Sequence, residues 1–253
     1  MQRPRAAPTL AGSVNGGLAI LSGRLDGIRA AIERAASRAG RDSGGVCLVA
    51  VVKQVPAERV REAVSLGVTD LGENRVQEAE VKVAAVGRAS ARWHMVGHLQ
   101  RNKAARAVEL FDRIHGVDRL ELAQALSRRA VALGRVVPVL VEVNVSGEAT
   151  KHGVAVAQVA PLIREVAQIP GLRLDGLMTV GAAVERPEAA RPGFATLARL
   201  REETQQALGV ALPELSMGMS GDYEVAVEEG ATMVRIGTAL FGARTPQEDA
   251  TCS

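Results

Sequence analysis

The stretch VCLVAVVK, residues 46–53, decides the fold class of this chain. Seven apolar residues, four of them valine, run without interruption and end abruptly at Lys53. An apolar run this short and this rich in β-branched residues is typical of a parallel strand buried on both faces, and not of a helix. We therefore predict a β-strand over 46–52 that ends at a lysine.

Lysine is scarce in this chain, which makes its place at a strand end notable. Of the 31 basic residues, four are lysine and 27 are arginine. Of these two residue types, only lysine can lose its proton in such a place and act as a nucleophile. The alternative is that Lys53 buries its stem and extends its ammonium group into water. Position alone leaves both interpretations open.

The length and composition limit the classes of protein to which this chain can belong. A chain of 253 residues that is 47% hydrophobic can form one or two domains, and a single α/β barrel of about 250 residues accounts for all of it. The net charge of +3, with both signs mixed along the chain, does not indicate a nucleic-acid partner. Three Phe, one Trp and one Tyr are too few to form a surface that stacks bases. We expect no nucleic-acid partner.

No apolar run approaches the ~18 residues of a membrane-spanning helix, so we expect no membrane partner. The first residues, MQRPRAAPTLAGSVNGG, contain no apolar core of signal-peptide length, and we predict a flexible tail over 1–16. The two cysteines, Cys47 and Cys252, provide neither a disulfide framework nor a metal-binding pair. The expected location is the cytoplasm.

Helical and strand patterns alternate along the chain, as in a parallel sheet. A helix from Leu18 to about Gly40 comes first. The predicted strands are 46–52, 69–72, 92–97, 112–116, 137–145, 172–179, 213–217 and 232–236. The predicted helices between them are 56–66, 74–86, 101–108, 118–133, 154–167, 187–208 and 220–229. This order predicts an α/β fold, a closed (β/α)8 TIM barrel with an extra N-terminal helix, as a single domain over 1–253. An open doubly wound sheet is the alternative, weakened because no G-x-G-x-x-G follows the first strand.

Barrel active sites lie at the C-terminal ends of the strands, and phosphate commonly binds after the last two strands. The last predicted strand contains Arg235 and runs into Gly237 and Thr238, where backbone amides at a helix start suit an anion. Ser220 follows the preceding strand. The alternatives are a tight turn with Arg235 in a structural ion pair, and Ser220 as the cap of the helix over 220–229.

A nucleophilic lysine and a phosphate site together suit pyridoxal 5′-phosphate (PLP), whose aldehyde condenses with an amine. The chain resembles the pyridoxal-phosphate homeostasis protein family, single-domain barrels related to the N-terminal domain of alanine racemase. The motifs that carry the resemblance are LVAVVK (48–53), LGENRVQE (71–78), WHMVGHLQRNK (93–103), VNVSGEATKHGV (143–154), GLMTVG (176–181) and LSMGMSGDYEVAVEEGATMVRIGTALFG (215–242).

The resemblance implies that PLP forms an internal aldimine with Lys53. It implies a phosphate held by Ser220, Arg235, Gly237 and Thr238, and a ring lined by Asn74, Ser216 and Met217. Family members resemble carriers that supply PLP to apo-enzymes, without an established turnover, so we expect no catalytic residues. This chain departs from the family pattern at three positions. The family usually has Ser where this chain has Val52, often has Thr in place of Gln54, and commonly has Tyr in place of Arg75.

Several other polar residues do not build a metal site by sequence. His94 and His98 would lie ~13 Å apart along an extended strand, too far to bind one ion, and we expect no metal. These histidines are also acid or base candidates, although hydrogen-bonded histidines at a strand end are the simpler interpretation. Lys151 is interpreted as an exposed loop lysine, with a secondary amine near the cofactor as the alternative.

Two enzyme classes remain as alternatives to a carrier. A PLP-dependent amino-acid racemase, or another PLP enzyme, needs an acid or base on each face of the α-carbon. The related racemase takes its tyrosine from a second domain, whereas this sequence ends 17 residues after its last predicted strand and contains only one tyrosine, Tyr223. We therefore expect a carrier. A lysine aldolase acting on a sugar phosphate without PLP would use the same two features.

Overall fold

The computed structural model describes residues 11–148, 150–181 and 184–243, with side chains from residue 16 onward. Parallel strands form its centre. In chain order they are β1 (Cys47–Val51), β2 (Asp70–Glu73), β3 (Arg92–Met95), β4 (Arg113–Val117), β5 (Val137–Asn144), β6 (Val154–Ala155), β7 (Leu172–Met178), β8 (Glu214–Met219) and β9 (Met233–Ile236).

Eight of these strands close into a barrel. Each pairs in parallel with the next in the order β1, β2, β3, β4, β5, β7, β8, β9, and β9 pairs with β1. The two residues of β6 pair only with the end of β5. The predicted (β/α)8 barrel is thereby confirmed, and the open doubly wound sheet is not adopted. All eight predicted strands are present, with ends shifted by two residues at most.

Helices surround the barrel. They are α1 (Ala11–Arg38), α2 (Ala57–Ser65), α3 (Val76–Val86), α4 (Ala104–Leu110), α5 (Leu120–Ala132), α6 (Val159–Val166), α7 (Arg191–Leu208), α8 (Tyr223–Glu228) and α9 (Thr238–Phe241). The extra N-terminal helix is confirmed as α1. Over the described ranges, none of the helices combines the length and the apolar character needed to cross a bilayer.

Two predicted helix starts are wrong by five residues or more. Residues 11–16, predicted as part of the tail, begin α1, whereas residues 1–10 of that tail lie outside the described residues, as does Cys252. The helix predicted over 154–167 starts at Val159, because Val154 and Ala155 pair with β5 before the chain turns.

The large apolar core lies between the barrel and its helices. Ala50 and Val52 belong to this core, together with fully buried Trp93 and Phe111. Because strand side chains alternate, Cys47, Val49 and Val51 face the barrel interior. There Val49 packs with Val96 and Met233 in a small separate cluster. Much of the remaining interior is polar.

The contact between β7 and β8 provides a test of the barrel. Gly176 pairs with Glu214, and a methyl group at Gly176 would lie far closer to the Glu214 carbonyl oxygen than van der Waals contact allows. Gly176→Ala should therefore lower the free energy of unfolding by about 3 kcal/mol, measured by urea denaturation. Gly23→Ala, at an exposed position in α1 with open space around it, is the matched control and should raise stability by about 0.5–1 kcal/mol. Equal effects of the two changes would contradict the close strand contact.

Candidate functional site

A cavity of about 490 Å³ opens at the C-terminal ends of the barrel strands. This is the end at which barrel chemistry was expected. Six of the eight predicted site residues line this one cavity: Lys53, Asn74, Ser220, Arg235, Gly237 and Thr238. The barrel therefore brings together residues that are up to 185 positions apart in the sequence.

Strand alternation directs Lys53 into this cavity. Val49 and Val51 face the barrel interior. Because side chains alternate along an extended chain, Lys53, two residues after Val51, faces the same side. The β1 strand lies between β9 and β2, with Ala50 beside Ile236 and Val51 beside Gly72. Lys53 therefore lies between the loops that follow those two strands, and its side chain is half-buried in the cavity wall.

Helix α3 fixes the backbone around Lys53. The Lys82 ammonium donates to the Val52 carbonyl oxygen at 2.6 Å and also forms a buried ion pair with Glu73. One residue after Lys53, Gln54 adopts φ 59°, and its amide donates to a Glu78 carboxylate oxygen at 3.3 Å. Bonds on both sides of Lys53 thus hold its α-carbon in place, and both are made by backbone atoms of residues 52 and 54.

The hydroxyl of Ser220 lies against the start of α9. It accepts hydrogen bonds from the amides of Gly237 at 3.2 Å and Ala239 at 3.1 Å. The alternative, in which Ser220 caps the helix after it, is not adopted, because Asp222 occupies the N-cap position of α8. The Asp222 carboxylate accepts from the Met219 amide at 2.6 Å. The Ser220 hydroxyl joins the β8 and β9 loops instead, at the rim of the cavity.

Arg235 supplies positive charge at the floor of the cavity. Its side chain is buried, donating to the Ser216 hydroxyl at 2.6 Å and to the Thr179 carbonyl oxygen at 2.7 Å. Burial lowers the pKa of Arg235 to about 10, although the charges of Glu142 and Asp222 oppose this shift. Both hydrogen-bond partners are uncharged, so the described residues do not show the structural ion pair that was the alternative.

Two predicted site residues lie elsewhere. Ser216 is fully buried beneath Arg235, in the barrel interior and away from the cavity wall. Met217 is fully buried in the core between barrel and helices. The two neighbours point to opposite sides of β8, as alternation requires, so one strand segment could not present both to the same ligand.

Glu142 is a site residue that the sequence analysis missed. It lines the cavity near the end of β5, is 4% exposed, and its Oε2 atom has no hydrogen-bond partner among the described residues. Burial, reinforced by the charge of Asp118, raises the pKa of Glu142 to about 7, and Arg235 opposes the shift. A charged residue inside the apolar run of β5 is the same signal that drew attention to Lys53.

A pair of stacked histidines stands at the cavity wall. The rings of His98 and His152 lie 3.8 Å apart at 12° to each other, and Asp118 is close enough for the three to be considered as metal ligands. A metal ion lies near the plane of each imidazole that binds it, and two parallel stacked planes cannot share one ion. In the present geometry this cluster is therefore a ring stack beside a carboxylate. His94 lies elsewhere, in the barrel interior, where it is hydrogen-bonded to His115 at 2.9 Å.

The raised pKa of Glu142 predicts a pH-dependent stability. Below its ordinary pKa of 4.5 the carboxyl group is protonated in folded and unfolded chains alike. As pH rises toward 7 the unfolded chain releases this proton while the folded chain keeps it, so stability falls. Between about pH 5 and pH 8, wild type should lose about 2 to 3 kcal/mol relative to Glu142→Gln.

Urea denaturation of ligand-free protein at the two pH values measures this difference. Glu202→Gln, at an exposed position on α7, is the control and should differ from wild type equally at both. A Glu142→Gln difference that does not change with pH would show that Glu142 ionises normally.

The fold and cavity define a class: a (β/α)8 barrel with a strand-end lysine, a buried cation and a hydroxyl at a helix start in one site. The family model described as "Alanine racemase, N-terminal domain" matches residues 24–245. Proteins named pyridoxal phosphate homeostasis protein are similar over most of their length. That of Aquifex aeolicus is 44% identical, covering 87% of this chain and 97% of its own, and that of Pseudomonas aeruginosa is 48% identical, covering 86% and 93%.

The chain therefore belongs to the pyridoxal-phosphate homeostasis protein family, within the wider alanine racemase N-terminal domain family. A solved structure agrees with this placement. PipY of Synechococcus elongatus, solved with PLP bound, is 38% identical with a TM-score of 0.74, and the match covers 84% of this chain and 100% of PipY. The resemblance drawn from the sequence motifs is confirmed.

Proposed function

We propose that this protein binds PLP covalently through Lys53 and supplies it to apo-enzymes, in PLP homeostasis. The single observation that carries this proposal is the cavity at the strand ends, where an amine, two hydroxyl groups and a buried guanidinium meet. The PLP bound in PipY and the names of the relatives support it. The cysteine usage that favoured the cytoplasm makes that compartment the proposed place of action.

The donor set fits PLP at both ends of the molecule. When bound, the cofactor would supply an aldehyde, and Lys53 would supply the amine that condenses with it, with loss of one water. For the phosphate we propose the Ser220 and Thr238 hydroxyls with the backbone at Gly237, and Arg235 as the compensating charge from the floor. Asn74 completes the wall beside Lys53. Met217 has no part in this proposed site.

The proposed role is that of a carrier and not of an enzyme. The relatives bear the name of a homeostasis protein, which supports a role in holding the cofactor. Racemisation needs acid or base groups on both faces of the substrate α-carbon. Tyr223, the only tyrosine of the chain, lies on α8 and is not among the residues that line the cavity.

The covalent link is tested by visible absorption before and after borohydride reduction, followed by peptide mapping. Wild type loaded with PLP should be yellow, and the reduced pyridoxyl group should map to Lys53 among the four lysines of the chain. Lys53→Ala should lose the covalent adduct while keeping weaker binding through the phosphate. Lys103→Ala, outside this cavity, is the control and should keep the adduct. A pyridoxyl group on Lys103 or Lys151 alone would contradict the assignment.

The phosphate end is tested by comparing two ligands. Ser220→Ala should weaken PLP binding by about tenfold, the value of one charge-assisted hydrogen bond, and should leave the affinity for pyridoxal, which lacks the phosphate, nearly unchanged. Equilibrium absorption titration measures both affinities. Ser146→Ala, in the exposed loop after β5, should change neither. Equal losses for PLP and pyridoxal would place the phosphate away from Ser220.

Carrier and enzyme are separated by two assays on the loaded protein. Incubation with L- or D-alanine in deuterium oxide should give no exchange at the α-carbon above that of free PLP, whereas a racemase would exchange it rapidly. Addition of a PLP-dependent apo-enzyme should restore its activity. A colourless protein that borohydride traps only with a sugar phosphate present would favour the aldolase alternative instead.

A further inference from the structure

A continuous line of buried hydrogen bonds runs through the barrel interior from Arg235 to the opposite end. Arg235 bonds to Ser216, and the Ser216 hydroxyl lies 2.9 Å from His115 Nδ1. His115 Nε2 lies 2.9 Å from His94 Nδ1, and His94 Nε2 lies 2.9 Å from an Asp70 carboxylate oxygen. The four members beyond Arg235 come from β8, β4, β3 and β2, and each is 3% exposed or less.

The two ends of this line fix the direction of its terminal hydrogen bonds, and with both imidazole rings neutral they also fix the two bonds between them. Arg235 has no acceptor atom, so it donates to Ser216. At the other end Asp70 accepts from Thr69, from His94 and twice from Arg92. Burial alone would raise the pKa of Asp70, but these side-chain hydrogen bonds lower it, so the carboxylate is ionised and accepts only.

The tautomers of both histidines follow from this direction. His94 donates from Nε2 to Asp70, so in a neutral ring its Nδ1 accepts from His115 Nε2. His115 Nδ1 is then an acceptor, and the Ser216 hydroxyl donates a hydrogen bond to it. Burial lowers the pKa of His115 well below its ordinary value, which keeps that ring neutral. All donors point from Arg235 toward Asp70.

We propose that Asp70 is a positioning residue for PLP retention. It orients the hydrogen bonds of His94, His115 and Ser216 in one direction, and these bonds hold the guanidinium of Arg235 in the cavity floor. The proposal rests on the proposed function, because it assigns Arg235 a share in holding PLP. A buried guanidinium must find acceptors, and when the Ser216 proton is directed to His115, the lone pairs of the Ser216 oxygen remain available to Arg235. The ionised carboxylate of Asp70 is the final acceptor in this line of hydrogen bonds.

The tautomers can be measured without PLP. Long-range ¹H–¹⁵N correlation spectra of the protein labelled at its four histidines report which ring nitrogen carries the proton. In wild type, His94 and His115 should both be protonated at Nε2 and unprotonated at Nδ1. Asp70→Asn, which removes the terminal charge at nearly constant shape, should populate the other tautomer. A wild-type His115 protonated at Nδ1 would overturn the proposal, since it would reverse the bond to Ser216.

Retention is measured as the rate of PLP release from loaded protein to an excess of a scavenging apo-enzyme. Asp70→Asn should release PLP about tenfold faster than wild type, and Ser216→Ala, which breaks the line beside Arg235, should act in the same direction. Asp175→Asn is the matched control. Asp175 is equally buried, at the same end of the barrel, and pairs with Arg113 and Arg173 without joining the line, so its release rate should equal that of wild type.

The outcomes separate this inference from the function on which it rests. Failure of wild type to take up PLP would overturn both. Normal uptake with wild-type release from both Asp70→Asn and Ser216→Ala would overturn the positioning role alone. Equal acceleration in Asp175→Asn and Asp70→Asn would show a general effect of a buried charge and would likewise overturn it. If Asp70→Asn does not fold, Ser216→Ala and the wild-type tautomers decide the question.

Discussion

Closure of the barrel by parallel pairing of β1 between β9 and β2 is the constraint on which the site depends. The pairing sets the register of all three strands, with Val49 beside both Asp70 and Arg235. Because side chains alternate along a strand, register also decides which residues face inward. Lys53 and Arg235 face the same interior for this reason, although the chain between them contains seven other strands.

The large apolar core and the polar groups of the site lie on opposite sides of the barrel strands. Apolar residues such as Trp93, Phe111 and Phe194 are packed outside the strands, under the helices, where burial of apolar surface stabilises the fold. The interior instead holds charged and polar groups, whose desolvation is offset only by well-directed hydrogen bonds. These hydrogen bonds are formed from Arg235 to Asp70, whereas Glu142 Oε2 has no hydrogen-bond partner among the described residues.

Much of this architecture is predictable from the sequence because local patterns determine it. Short apolar runs rich in valine give the strands, and a lysine that ends such a run is recognisable by its residue type alone. Lys53, Gly237 and Thr238 each follow a parallel barrel strand, and the C-terminal ends of these strands all lie at the same end of the barrel. Asn74 and Ser220 join them because each follows directly after a strand.

The remainder depends on contacts that no local pattern encodes. The resemblance implied that Met217 lines the ring, but its side chain lies in the core between barrel and helices, and the register of β8 is irregular against β9. The Ser220 hydroxyl accepts from amides at the start of α9, and does not cap α8, because the loops after β8 and β9 meet in space. The stack of His98 on His152 and the line from Arg235 to Asp70 likewise join elements that are distant in sequence.

The central claim is that one cavity holds PLP by its aldehyde at Lys53 and by its phosphate at the start of α9. A crystal structure of the protein soaked with PLP tests it most directly. The account predicts continuous electron density from Lys53 Nζ into the pyridine ring, with the phosphate beside Ser220, Gly237 and Thr238. Ordered PLP attached to another lysine, or a phosphate seated away from α9 while Lys53 remains unmodified, would contradict it.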